Sequence, residues 1–196
     1  MSEISYSFIS LLGLFLLTAV LRLIELFISK KNDSLRSTEA NIQKPKEVFF
    51  FLFIILHVSF LIFTPLEVYI LNRNFYIYLG ISMIFLYLVC LLIRFHVLNV
   101  LGKNWNTKVI YNPSDELSIT TSGIYKFIRH PNYLVVILEL TALSLFHSAY
   151  FSFIIFSILN FILLFFRIRF EENELFQNSK YSNHFIDKKR FIPGLF

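Results

Sequence analysis

Three apolar runs, roughly Ile4–Ile28, Val48–Leu71 and Phe75–Leu98, dominate the chain. Each exceeds the ~20 residues that an α-helix needs to cross a hydrocarbon layer ~30 Å thick. Two more runs, roughly Tyr133–Phe146 and Tyr150–Phe166, are separated only by His147-Ser148-Ala149. Each is short for a spanning helix, so the pair reads as a tight helical hairpin that crosses and returns, with a re-entrant hairpin as the alternative. Composition closes off the soluble alternative: 56% of residues are hydrophobic, 16% are charged and 25 are Phe. A water-soluble fold of 196 residues cannot bury that much apolar surface, whereas a bilayer solvates it. The expectation is an all-α polytopic membrane protein of about five transmembrane helices, forming one domain over residues 1–196.

The cations orient it. Lys30, Lys31, Arg36, Lys44 and Lys46 follow the first run. Arg94, Lys103, Lys108, Lys126 and Arg129 belong to the third loop and its approach, and Arg167, Arg169, Lys180, Lys188, Lys189 and Arg190 to the tail. Sixteen of the 18 Lys and Arg thus fall on one side, leaving Arg73 opposite and Arg22 inside the first run. The positive-inside rule makes that side cytoplasmic. Five spans then put the amino terminus outside, and the polar stretches 99–132 and 167–196 together in the cytosol. This distribution also assigns the net charge of +5 to membrane topology rather than to nucleic-acid binding. Cys90 lies alone in an apolar run, without a disulfide or metal partner in the pattern. The amino-terminal run lacks a basic leader and a small-residue cleavage site, so a retained helix is expected there.

The strongest chemical signal is Ser118–Tyr133, which reads Ser-Ile-Thr-Thr-Ser-Gly-Ile-Tyr-Lys-Phe-Ile-Arg-His-Pro-Asn-Tyr. Gly123 provides a turn, and Pro131 or Asn132 can start the fourth helix, whose free N–H groups suit a carboxylate or another anion. An interfacial anchor of basic and aromatic residues explains the same stretch equally well. A second signal, Arg167-Ile168-Arg169-Phe170-Glu171-Glu172-Asn173-Glu174, follows the last apolar run. Helical spacing predicts pairing of Arg167 with Glu171 and of Arg169 with Glu172. It reads either as an ordinary solvated helix end or as an arginine that forks onto an anionic headgroup beside a cofactor-binding carboxylate.

From about Gly102 to Pro193 the sequence resembles the isoprenylcysteine carboxyl methyltransferases and their bacterial membrane relatives. The resemblance is carried by Gly102-Lys103-Asn104-Trp105-Asn106, Thr121-Ser122-Gly123-Ile124-Tyr125, Arg129-His130-Pro131-Asn132-Tyr133, Glu171-Glu172-Asn173-Glu174-Leu175, Tyr181 and Ile192-Pro193. It implies a cytoplasmic loop within 102–133 and a C-terminal helix within 167–193 that together bind S-adenosylmethionine. The implied contacts are Leu117, Ser118, Ile119, Thr120, Tyr125, His130, Pro131, Asn132, Tyr133 and Glu171. Arg167 is implied at the substrate carboxylate. The chain departs from the pattern where Leu134, rather than glycine, follows the motif tyrosine. The pattern is also similar to a bacterial subgroup acting on alkylpyrones and phenolic lipids, which leaves the acceptor oxygen open between a carboxylate and a phenol or enol.

Glu139 lies two turns into the fourth run, where a carboxylate in lipid faces a cavity or a partner. Its two readings are a buried pair with an arginine such as Arg94 or Arg129, and a substrate contact. Arg22 and Glu25 read as an internal pair, and His57 and Glu67 as satisfied structural residues or as the lining of an inter-helix space. No metal-ligand spacing, P-loop, GxGxxG or Ser/His/Asp pattern occurs. The expected activity is methyl transfer to an oxygen of a lipophilic substrate, in a bacterial plasma membrane, with Arg167, His130 and Glu139 as candidate catalytic residues. Phospholipid N-methylation and a non-catalytic membrane protein of the same fold are the alternatives.

Overall fold

The computed structural model describes residues 6–38, 41–47, 49–112 and 119–191. Its helices are α1 (Tyr6–Arg36), α2 (Phe49–Ile70), α3 (Ile77–Leu101), α4 (Pro131–Phe146), α5 (Tyr150–Leu175) and α6 (Ser179–Phe185). Short 3₁₀ turns occupy Gly102–Asn104 and Gly123–Lys126. Among the described residues there is no strand, only isolated bridges pairing Gln43 with Tyr111 and Ile128 with Lys189. Four helices, namely α1, α2, α3 with its 3₁₀ extension, and α5, are long and apolar enough to cross a membrane. Their outward faces carry exposed Leu, Ile and Phe side chains, such as Leu16, Phe63, Phe85 and Phe161. An apolar belt of that extent needs lipid around it. The protein is a helical integral membrane protein.

Two boundaries correct the expectation from hydropathy. The fifth apolar run stops at Phe166, but α5 continues unbroken to Leu175 and has 26 residues. Arg, Glu and Leu are good helix formers, so the backbone ladder outlasts the apolar face. Likewise α1 runs to Arg36, and its 31 residues reach about 46 Å at the standard rise. The helix therefore projects beyond the hydrocarbon. By contrast α4 is a 16-residue helix with no exposed residue. It packs along α3 and α5, with α2 against α5. Its apolar character serves helix contact on every side, which hydropathy cannot distinguish from lipid contact.

The hydrophobic core sits around Leu11, Phe15, Phe60, Tyr87, Leu143, Phe146 and Phe156. At the end holding the His147–Ala149 turn, the Glu67 carboxylate accepts from the N–H groups of Phe151 (3.1 Å) and Ser152 (2.6 Å) and pairs with Arg73 (2.7 Å). Glu67 thus caps the start of α5, which resolves it as a satisfied structural group. At the other end, α1 pins the segment after α3. Asn32 Nδ2 donates to the carbonyls of Gly102 (3.0 Å) and Trp105 (2.8 Å), and the Ser29 and Thr107 hydroxyls meet at 2.8 Å. Gly123 sits at φ +58°, and a Cβ there would lie 2.7 Å from His96 Nε2, so the turn requires glycine. The tail returns to this end, where the N–H groups of Arg129 and His130 donate to the carbonyls of Lys189 and Arg190, each at 3.0 Å.

Candidate functional site

Loop, helix ends and tail enclose a cavity of about 490 Å³. Most of the residues singled out from the sequence line it together: Ile119, Thr120, Tyr125, His130, Asn132, Tyr133, Arg167 and Glu171. Pro131 does not line it; it occupies the first turn of α4, where its fixed φ favours helix initiation. Leu117 and Ser118, like Ile192 and Pro193, lie outside the described residues. Trp105, Thr107, Tyr181 and Phe185 complete the polar and aromatic wall. Towards α1 and α2 the lining turns apolar, with Leu23, Leu26, Phe53, Ile54, Val58 and Leu61. A chamber of this size, apolar along one side and polar at one end, has the dimensions of a small-molecule site.

A hydrogen-bonded chain organises the polar end. Arg167 Nε donates to Tyr133 Oη at 2.7 Å, and the Tyr133 hydroxyl donates to Glu171 Oε2. The predicted Arg167–Glu171 contact is therefore relayed through Tyr133 on α4. A second guanidinium nitrogen donates to the Thr107 carbonyl at 2.6 Å, and a third pairs with Glu47 at 2.6 Å. Arg167 also stacks over the rings of Phe53 and Tyr133.

The neighbouring Glu172 ties three segments. It receives His130 Nε2 (3.0 Å), Arg129 (3.1 Å) and Arg190 (2.7 Å). The predicted Arg169–Glu172 pair does not form. Arg169 instead lies over Phe165, because Glu172 points inward to cations on the loop and tail. The His130 ring stacks on Tyr133, with centroids 5.4 Å apart.

Glu139 lies elsewhere. With Glu25 it forms a buried quartet with Arg22 and Arg94: Arg94 contacts Glu25 at 3.0 Å and Glu139 at 2.6 Å, and Arg22 contacts Glu25 at 2.9 Å and also Glu139. Two arginines and two glutamates balance, and three of them, Arg22, Glu25 and Arg94, close the deep end of the cavity. The arginine partner read from the sequence is Arg94, not Arg129, and Arg22 is shared.

Buried polar atoms on the cavity wall lack a hydrogen-bond partner at both ends: Asn132 Oδ1, Tyr181 Oη, Arg129 Nε and Trp105 Nε1 at the polar end, and Arg22 Nε and Arg94 Nε at the deep end. Such groups are costly unless something satisfies them. They supply both donors and acceptors, which fits a ligand carrying amino, carboxylate and hydroxyl groups. Burial and the nearby Glu171 raise the Tyr125 pKa, so its phenol stays protonated as a donor. Burial likewise pushes the Tyr111 phenol up to about 12, helped by its bond to Glu174.

Sequence reasoning missed Glu47, Glu172 as a hub, and Arg190. Glu47 is the single acidic residue in Lys44-Pro45-Lys46-Glu47, just ahead of an apolar run. That isolation at a membrane boundary is the signal that could have found it. Nothing local marks Arg190, which works by tail return.

The Isoprenylcysteine carboxyl methyltransferase (ICMT) family profile matches residues 81–177. The chain is also 34% identical over 164 residues to the uncharacterized protein YpbQ of Bacillus subtilis (strain 168), covering 82% of this chain and 95% of that protein.

Proposed function

The chain belongs to the isoprenylcysteine carboxyl methyltransferase family, and on that premise we propose that it moves a methyl group from S-adenosylmethionine to an oxygen of a lipophilic acceptor. The observation that carries this reading is the convergence of the motif residues on one cavity whose buried wall leaves Asn132, Tyr181, Arg129 and Trp105 unsatisfied. The positive-inside rule assigns the polar end to the cytosol, where the soluble cofactor is found; a bacterial plasma membrane is the proposed setting.

When bound, the cofactor supplies a methyl group on a sulfonium, which needs in-line approach and shielding from water more than acid–base help. Asn132, Tyr125, Tyr181 and Glu171 would hold it, with Ile119 and Thr120 along one side. The Arg167–Tyr133–Glu171 chain fixes the Tyr133 ring and orients the Glu171 carboxylate. Glu172 accepts from His130 Nε2, which leaves Nδ1 as the nitrogen able to take a proton. A phenol or enol acceptor would use that site, whereas a carboxylate is already ionised and needs no base. Glu139 is held between two guanidinium groups, so its proposed part is to fix the deep wall against which the acceptor rests. The apolar side along α1 and α2 takes the lipid tail.

Calorimetry of the purified protein with S-adenosylmethionine tests the reading. Wild type binds, and Asn132→Ala and Glu171→Ala each weaken binding by about tenfold, the scale of a lost hydrogen bond to a charged group. No binding by folded wild type would sink it. Incubating membranes with labelled cofactor identifies the product, and a phospholipid methylated on nitrogen would replace the oxygen acceptor.

A further inference from the structure

Arg167 has the side chain best suited to grip a carboxylate headgroup, yet its fork is occupied. A guanidinium binds carboxylate most strongly along one of two edges, each offering two parallel N–H groups. Here Nε serves Tyr133 Oη, one terminal nitrogen serves the Thr107 carbonyl and the other pairs with Glu47 at 2.6 Å. Neither edge is free. Only Glu47 among these partners is charged, and its side chain is 3% exposed. It comes from the α1–α2 connection, and its second oxygen accepts the Val109 N–H at 3.3 Å. Glu47 is absent from the cavity lining, so it neutralises Arg167 from behind the wall. Arg167 is thus flanked by two carboxylates, Glu47 directly and Glu171 through Tyr133, so its own positive charge is compensated before any headgroup arrives.

We propose that Glu47 is a specificity-determining residue: it withholds Arg167 from carboxylate headgroups, so the cavity admits amphiphiles with an uncharged oxygen and rejects fatty-acid-like anions. Membranes contain such anions, and their tails fit the same apolar side. The inference rests on the methyltransferase reading of the cavity, but its readout is binding rather than turnover.

The full-length protein in detergent is titrated with laurate and with dodecanol, which share a chain length and differ in headgroup charge, at about pH 8, above the carboxylate range. Wild type is expected to bind dodecanol at least about tenfold more tightly than laurate. Glu47→Gln keeps the shape and removes the charge; its laurate affinity is expected to rise about tenfold, the scale of one charge-assisted hydrogen bond. Its dodecanol affinity stays unchanged, and Glu47→Gln combined with Arg167→Gln loses the gain. Laurate binding to wild type as tightly as dodecanol overturns the proposal, even if the variants do not fold. An unchanged laurate affinity in folded Glu47→Gln overturns it as well. S-adenosylmethionine binding is measured on the same wild-type sample. Cofactor binding without the laurate effect removes the role of Glu47 and leaves the methyltransferase reading. The laurate effect without cofactor binding does the reverse.

Discussion

Two buried charge networks bound the cavity, and they are built differently. The deep quartet of Arg22, Glu25, Arg94 and Glu139 comes from the helices α1, α3 and α4 alone, and its charges cancel. The outer network joins α5 to a loop, a tail and the α1–α2 connection, and unsatisfied polar atoms surround it. In lipid, an unpaired charge is too costly to leave open, so every charge of the deep network is paired and the network holds helices together. Within it, only Arg22 Nε and Arg94 Nε lack a hydrogen-bond partner. At the polar end, water and ligand can complete what the protein leaves incomplete. Charge balance among helices thus marks structure, and donors and acceptors left open between loop, helix and tail mark the proposed binding end.

The sharpest way to break that distinction is Glu139→Leu. It leaves Arg22 and Arg94 sharing one counter-charge and is expected to cost about 3–5 kcal/mol of stability, read by thermal unfolding in detergent. The surviving folded protein should keep its cofactor affinity. Lost affinity at unchanged stability would erase the contrast. Tyr133→Phe removes the hydroxyl between Arg167 and Glu171; it should raise the cofactor Kd about tenfold by calorimetry with a smaller change in melting. Arg190→Ala detaches one of the cations on Glu172 and loosens the tail. A Kd change of about threefold is expected, because that side chain is 36% exposed and its pair partly screened. Glu67→Gln serves as the comparison outside both networks: loss of the charged cap on α5 should cost about 1 kcal/mol and leave the cofactor Kd alone.

A pH titration sharpens the role of Glu47. Burial raises its pKa more than Arg167, the Val109 N–H and Lys108 lower it, and Glu171 adds to the rise. As pH falls from neutrality, Glu47 protonates above the usual carboxylate range and Arg167 loses its counter-charge. Dodecylsulfonate, charged throughout, should therefore bind wild type more tightly at lower pH, while Glu47→Gln shows a flatter profile. A wild-type profile as flat as the variant's would mean that Arg167 stays paired whatever the state of Glu47.

The sequence by itself determined the membrane class, since apolar run length depends on composition and bilayer thickness, not on partners. It also determined the glycine turn at Gly123, the start of α4 to within Pro131 or Asn132, and the residue types that gather around the cavity. These follow from local backbone rules and from the matching motif order. What the tertiary structure decided were the partners. Helical spacing paired Arg167 with Glu171 and Arg169 with Glu172, but Tyr133 came between the first two and the tail's Arg190 helped displace the second pair. Glu139 gained Arg22 from 117 positions away and Arg94 from 45. Periodicity reports which side chains share a helix face. It does not report which charge from another helix or loop reaches that face, and buried charges take the partner that desolvation and packing leave within reach.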